Sequence, residues 1–192
     1  MRISPSPTAV VVSGVDESVV HEPDPAVLAG RLAGLKAEAV AARVDDAFVV
    51  GCDSVLELDG RAYGKPGGAE EAIARWRTMR GRAGRLHTGH CVVDTATGRT
   101  VGGTSSTVVR FAEVSDEEIA AYVATGEPLQ VAGSFTIDGL GGAFVSGIDG
   151  DPHTVVGISL PYLRELFAEL GVRWTDLWRT GLTPPAGRGP GR

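Results

Sequence analysis

The run Val49-Val50-Gly51-Cys52-Asp53-Ser54-Val55 constrains this chain most. Two β-branched residues lead into a small-residue break, and an acid follows at once. β-branched side chains favour extended backbone, so the run reads as a buried strand ending beside a carboxylate. Twelve positions after Asp53, Gly64-Lys65-Pro66 places a lysine in a turn. A following proline restricts the backbone of Lys65. An acid at a strand end with a lysine in a nearby loop suits a metal-bound phosphate.

The rest of the chain alternates strand-like and helical segments before strands cluster in the middle. Residues 8–13 (TAVVVS) read as a strand from their β-branched content. Asp24-Pro25 reads as a helix N-cap with proline at the first helical position. Apolar residues at Val27, Leu28, Leu32, Leu35, Ala39 and Val40 keep a helical period over 26–43. Segments 47–50 and 55–58 are strand candidates, and Asp59-Gly60 predicts a two-residue hairpin turn. A second helix is expected over 68–79, strands over 87–94 and 100–111, and a helix over 118–124 behind Ser115-Asp116-Glu117-Glu118. A glycine-rich loop follows at 137–142, then a strand at 143–148, a turn at 150–153, a short apolar segment at 155–158 and a helix at 160–170. The expected class is α/β: a mixed twisted sheet with flanking helices. Residues 1–172 form one domain, 173–192 an extension, and the Pro/Gly/Arg-rich 184–192 a disordered tail.

Composition narrows the function. A chain of 192 residues with 43% hydrophobic residues can bury a core as one domain. Its net charge of −6 argues against general nucleic-acid binding, which needs broad basic surface. No run approaches the roughly 18–20 apolar residues of a membrane span, and no secretory signal opens the chain. Cys52 and Cys91 make no disulfide framework or metal pattern and read as free thiols in a reducing cytoplasm. Cys52 beside Asp53 could be a nucleophile, but no histidine is near in sequence. A small buried filler is the alternative.

Glu17 and Asp53 both follow strand-like runs, where sites gather in α/β folds. Two carboxylates there could hold Mg²⁺, or one could hold metal while the other polarises a water. The plainer reading of each is a turn residue or helix cap. Lys36 borders the apolar face of the first long helix, where a lysine can simply snorkel to solvent. Lys65 could be preorganised by its turn or be a solvated turn lysine. Gly139-Leu140-Gly141-Gly142 matches neither a P-loop nor a dinucleotide fingerprint. Asp149-Gly150-Asp151 lacks calcium-loop spacing and reads as a tight turn. His87, His90 and His153 lack a zinc spacing.

Together the segments resemble the Maf family of nucleoside triphosphate pyrophosphatases, within the inosine-triphosphatase-like superfamily. The resemblance rests on an ordered set: Val15-Asp16-Glu17; Lys36-Ala37-Glu38-Ala39-Val40-Ala41; Val50-Gly51-Cys52-Asp53-Ser54-Val55; Asp59-Gly60 with Gly64-Lys65-Pro66; and Thr88-Gly89. It continues through Thr125-Gly126-Glu127-Pro128, Ala132-Gly133-Ser134-Phe135, Ile137-Asp138-Gly139 and Ile148-Asp149-Gly150-Asp151. The resemblance implies an elongated fold with a central cleft. It also implies hydrolysis of a nucleoside triphosphate to monophosphate and pyrophosphate with a divalent metal, Mg²⁺ or Mn²⁺. It makes Asp53 the catalytic acid, Glu17 the second acid, both metal-binding, and Lys36 and Lys65 the phosphate-binding lysines. Ser54 and Asp138 fall at its substrate-binding positions. A homodimer is left open.

Two departures stand out. The family usually opens with a strand, a Ser-x-Ser-Pro-Arg-Arg-like loop and a helix, which Met1–7 with its Ser4-Pro5-Ser6-Pro7 only echoes. Members that take thymidine and uridine triphosphates tend to carry threonine where Ser54 stands and glutamine where Asp138 stands. The competing expectation is a catalytically impaired nucleotide-binding or regulatory protein. A haloacid-dehalogenase-like phosphatase is disfavoured, because Asp53-Ser54-Val55 lacks the second acid of D-x-D.

Overall fold

A single strand, β1, runs unbroken from Phe48 to Leu58, joining the two short candidates into one. The computed structural model describes residues 9–178. Strand β2 (Arg61–Tyr63) returns through the Asp59-Gly60 turn, with Leu58 opposite Arg61. Strands β3 (Ala83–Asp94), β4 (Arg99–Phe111) and β5 (Val145–Asp149) complete the sheet. The order is β2-β1-β3-β4-β5, and every pairing among the described residues is antiparallel. Helices α1 (Pro25–Ala41), α2 (Ala69–Met79), α3 (Asp116–Ala124), α4 (Pro152–Val156) and α5 (Leu160–Glu169) flank it. This is the α/β class expected.

Local chemistry sets the helix starts. The Asp24 side chain accepts from the amides of Ala26 and Val27, with Pro25 at the first helical position. Ser115 and Glu118 form a capping box at α3.

Helix α1 covers one face of the sheet, packing Ala33 and Ala37 against Val49, Cys91 and Val93. The approach is close because β1 and β3 carry glycine beneath it. A Cβ on Gly51 would lie 2.7 Å from Ala37 N, and one on Gly89 would lie 2.6 Å from Gly30 N. Side chains alternate along a strand, so Asp53 shares the α1 face with Val49 and Gly51, while Ser54 and Leu56 point the other way.

On that other face, Leu163, Leu166 and Phe167 of α5 pack on Val92. Further along, α2 and α3 build the larger core around Trp76, with Leu56, Leu86, Val109 and Phe111 from the sheet. Trp76 stacks edge-on with Phe111, Tyr122 and Phe144, and its indole donates to Ser134 O at 2.7 Å. Trp174 and Leu177, from the stretch expected as an extension, pack against the α5 cluster.

Three expectations are corrected. Asp53, expected at a strand end, lies in the middle of β1, because the ladder with β3 continues past it. Residues 9–13 form no strand, and Val10 and Val12 are 99% and 81% exposed. Their β-branched side chains favour extension, but among the described residues no neighbour supplies a ladder. The stretch read as a turn plus a short apolar segment is helix α4, started by Asp151, whose carboxylate accepts from His153 N. The expected tail, 184–192, and the Ser4-Pro5-Ser6-Pro7 echo lie outside the described residues.

Candidate active site

Lys36 joins the two acids. It sits on α1 between buried Ala33 and Ala37, so its Cα is pressed toward the sheet and its side chain runs along it. Its Nζ donates to Asp53 Oδ1 at 2.5 Å and lies 2.7 Å from Glu17 Oε1. Glu17 begins a 3-10 turn, Glu17–Val19, capped by Asp16, which accepts from Ser18 N and Ser18 Oγ. Arg43, just past the end of α1, donates to Val12 O and Ser13 O and ties the incoming chain to the helix. Stretches that are 17 and 19 residues either side of Lys36 therefore converge on one ammonium group.

The two carboxylates differ. Glu17 keeps 52% of its side chain exposed and Asp53 only 12%. Burial pushes the Asp53 carboxyl above the usual carboxylate range, although Lys36 and then Lys65 pull it down. Burial would lower Lys36, but hydrogen bonds to Asp53 and Glu17 outweigh it and raise its pKa. Burial, helped by the Asp53 charge, pushes the Cys52 thiol up to about 12. A thiol that stays protonated is a poor nucleophile, so Cys52 is the small filler of the two readings.

Lys65 is exposed, and its charge reaches Asp53. The carbonyl just before it, Gly64 O, accepts from Gly133 N at 3.1 Å and from Arg75 Nη1 at 2.6 Å. Its loop is thereby fastened to the segment holding Val131 and Ala132. These two residues line a cavity of about 310 Å³ together with Ser54, Thr136, Asp138, Val156 and Gly157. Ser54 Oγ donates to Thr88 Oγ1 at 2.9 Å, because the Thr88 hydroxyl itself donates to Thr154 O of α4. The cavity thus lies behind β1, on the face opposite Asp53. The structure brings Glu17, Lys36 and Asp53 into contact and sets Lys65 within their field. It places Ser54 and Asp138 in a second compartment. Strand β2 pairs only with Leu56, Glu57 and Leu58, so among the described residues the β1 edge at 53–54 carries no sheet partner and joins the two.

The pattern for Maf-like protein matches residues 2–170. The chain belongs to the Maf-like protein family. Among its relatives, a Streptomyces coelicolor protein is 63% identical over 171 residues, covering 88% of this chain and 83% of its own. One from Streptomyces avermitilis is 61% identical with the same coverage. One from Salinispora tropica is 58% identical, covering 90% of this chain and 78% of its own. All three are named nucleoside triphosphate pyrophosphatase.

In this Maf-like chain, the supporting residues carry only weak sequence signals. Arg75 is buried in α2 at the root of the Lys65 loop, and Asp151 accepts from Ser159 Oγ at 2.6 Å as well as from α4. Their signals are two ordinary patterns: an i,i+4 Glu71–Arg75 pair, and an Asp-Pro at a helix start. Glu127 is the anchor of the Asp138 loop. Its carboxylate accepts from Tyr122 Oη, Thr136 Oγ1, Leu140 N and Gly141 N at 2.6–3.0 Å. Burial raises its pKa, but these four donors prevail and hold it at about 2.

A folded pKa below the unfolded one means the ionised form stabilises the fold. That contribution is complete above the ordinary value of 4.5 and is lost as pH falls toward about 2. Glu127→Gln is therefore expected to lower Tm clearly at pH 7 and scarcely at pH 2.5. Thermal melts of both proteins across that range check it, and a Tm gap that does not change with pH would contradict it.

Among the described residues, no three His, Cys, Asp or Glu side chains gather to hold a metal. His87 instead contacts Glu57 and Ser106, His90 accepts from Ser159 N, and His153 contacts Asp151. Glu17 and Asp53 are a two-carboxylate donor set. That fits Mg²⁺, which commonly takes one or two protein carboxylates and fills its remaining positions with waters and substrate phosphates. No helix among the described residues is long and apolar enough to cross a membrane.

Proposed function

We propose that this chain hydrolyses nucleoside triphosphates to the monophosphate and pyrophosphate, clearing non-standard or excess nucleotides. One observation carries the reading: Glu17 and Asp53 meet on Lys36, with Lys65 in electrostatic range of Asp53. A triphosphate needs cations at its charged end and a carboxylate beside the attacked phosphorus, and this cluster offers both. The names of its relatives point to the same chemistry.

The residues divide the work. Lys36 and Lys65 receive the phosphates and offset the charge growing on the departing pyrophosphate. Asp53, sheltered on β1 and in contact with Lys36, positions water and takes its proton as oxygen attacks the α-phosphorus. Glu17, exposed and on a short turn, can leave Lys36 when phosphate arrives. Glu17 and Asp53 would hold the divalent cation, Mg²⁺ or Mn²⁺, which when bound polarises phosphoryl oxygens. The nucleoside end reaches past β1 into the cavity behind it. There Asp138 and Ser54 meet the base. A carboxylate accepts hydrogen bonds only, so Asp138 favours a base edge that presents N–H donors. Free Cys52 and Cys91 suit a reducing cytoplasm.

The test is a panel of ribo- and deoxyribonucleoside triphosphates incubated with the full chain and Mg²⁺ or Mn²⁺, with products resolved. Monophosphate and pyrophosphate in equal amounts are expected, and none without the cation. Orthophosphate alone would remove this reading. Thermal stabilisation by triphosphates without consumption would establish the impaired, nucleotide-binding alternative instead.

A further inference from the structure

The Lys65 loop is gripped at both ends by one pair of α2 side chains. Arg75 Nη1 donates to Gly64 O at 2.6 Å, one residue before Lys65. Glu71 Oε2 accepts from Gly67 N at 2.8 Å, two residues after it. The two grips are joined, because Arg75 Nη2 donates to Glu71 Oε1 at 2.6 Å. A Cβ on Gly67 would lie 3.2 Å from Glu71 Oε2, so the carboxylate sits tight against the bare backbone of that residue. The guanidinium also lies over the Tyr63 ring, 5.1 Å from its centre, which fixes the residue entering the loop.

Nothing about core packing requires an arginine here. Arg75 is only 6% exposed, and its Nε has no hydrogen-bond partner in the protein. Burying a guanidinium in this way is costly, and an apolar side chain could fill the space more cheaply. The cation does, however, orient a loop whose only charged member is Lys65.

We propose that Arg75 and Glu71 are positioning residues that clamp residues 64–67 so that the Lys65 ammonium stays aimed at the Asp53 cluster. Neither touches the substrate; both act through Lys65. This rests on the pyrophosphatase reading for its effect on turnover, but the clamp itself can be tested without it.

The first measurement is amide hydrogen exchange in Glu71→Gln and Arg75→Met. Exchange at Gly67 is expected to quicken at least about tenfold in Glu71→Gln, while amides of β3 keep their parent rates. Unchanged exchange at Gly67 would overturn the clamp whatever the enzyme does. Glu71 is half exposed, so that variant folds even where Arg75→Met does not. The second is a double-mutant cycle on kcat/KM with Lys65→Ala. Arg75→Met or Glu71→Gln alone is expected to lose roughly ten- to a hundredfold, Arg75→Lys to recover part of it, and all three to change little once Lys65 is alanine. Equal losses with and without Lys65 would show a merely structural role. A parent enzyme without turnover would count against the pyrophosphatase reading, and the exchange result would still decide the clamp.

Discussion

Asp53→Asn is expected to abolish pyrophosphate release and to leave Tm within a few degrees of the parent. Loss of a positioned general base costs about 10²–10⁴-fold in rate, and loss of the metal-binding charge adds to it. The stability side follows from the sign of the pKa shift. The Asp53 carboxyl is raised, because burial outweighs Lys36. The folded state therefore binds its proton more tightly than the unfolded state, and the ionised form opposes folding above the ordinary value of 3.8. Asparagine removes that buried charge. It also leaves Lys36 a neutral amide oxygen in place of a carboxylate, while Glu17 stays at 2.7 Å. The two effects offset. Product chromatography and circular dichroism check these points. A folded variant with parent turnover would take Asp53 out of the mechanism.

Gly51→Ala is expected to lower stability by about 1–3 kcal/mol, or Tm by about 2–12 °C, through overpacking. The new Cβ would lie 2.8 Å from Ala37 Cβ and 2.7 Å from Ala37 N, so helix α1 must lift. Lys36 precedes Ala37, and lifting the helix draws Nζ away from Asp53, so activity falls with stability. Gly34→Ala is the informative contrast. It lies on the same helix with nothing within 4 Å of its added Cβ. Alanine there should stabilise by about 0.5–1 kcal/mol through helix propensity. Melts of both variants decide the matter. A Gly51→Ala protein as stable as its Gly34→Ala counterpart would mean that the contact between α1 and the sheet is not tight.

The elements that the sequence announced share a feature: their cause lies within a few residues. Asp24-Pro25 starts α1 because a carboxylate reaches amides two and three residues on. Ser115 and Glu118 cap each other across three residues, and Asp59-Gly60 turns β1 into β2. The misreadings arose where the cause is distant, as at 9–13, or where a local cap is followed by too few residues to show a period, as at α4. Residues 9–13 have strand composition, but a strand exists only when a neighbour offers its ladder. Helix α4 is only Pro152–Val156, too short to show a period.

The candidate site divides along the same line. Residue types and order along the chain marked Glu17, Lys36, Asp53 and Lys65 as acids and amines worth pairing. Tertiary structure alone decided that Lys36 stands between the acids, that Asp53 is sheltered while Glu17 is not, and that Ser54 turns to the far face with Asp138. It also decided that a buried arginine holds the Lys65 loop. Charge and capping are written in single residues. Burial, the face a side chain takes and the field it feels depend on atoms contributed by segments tens of residues away, and those meet only when the sheet and α1 have closed on each other.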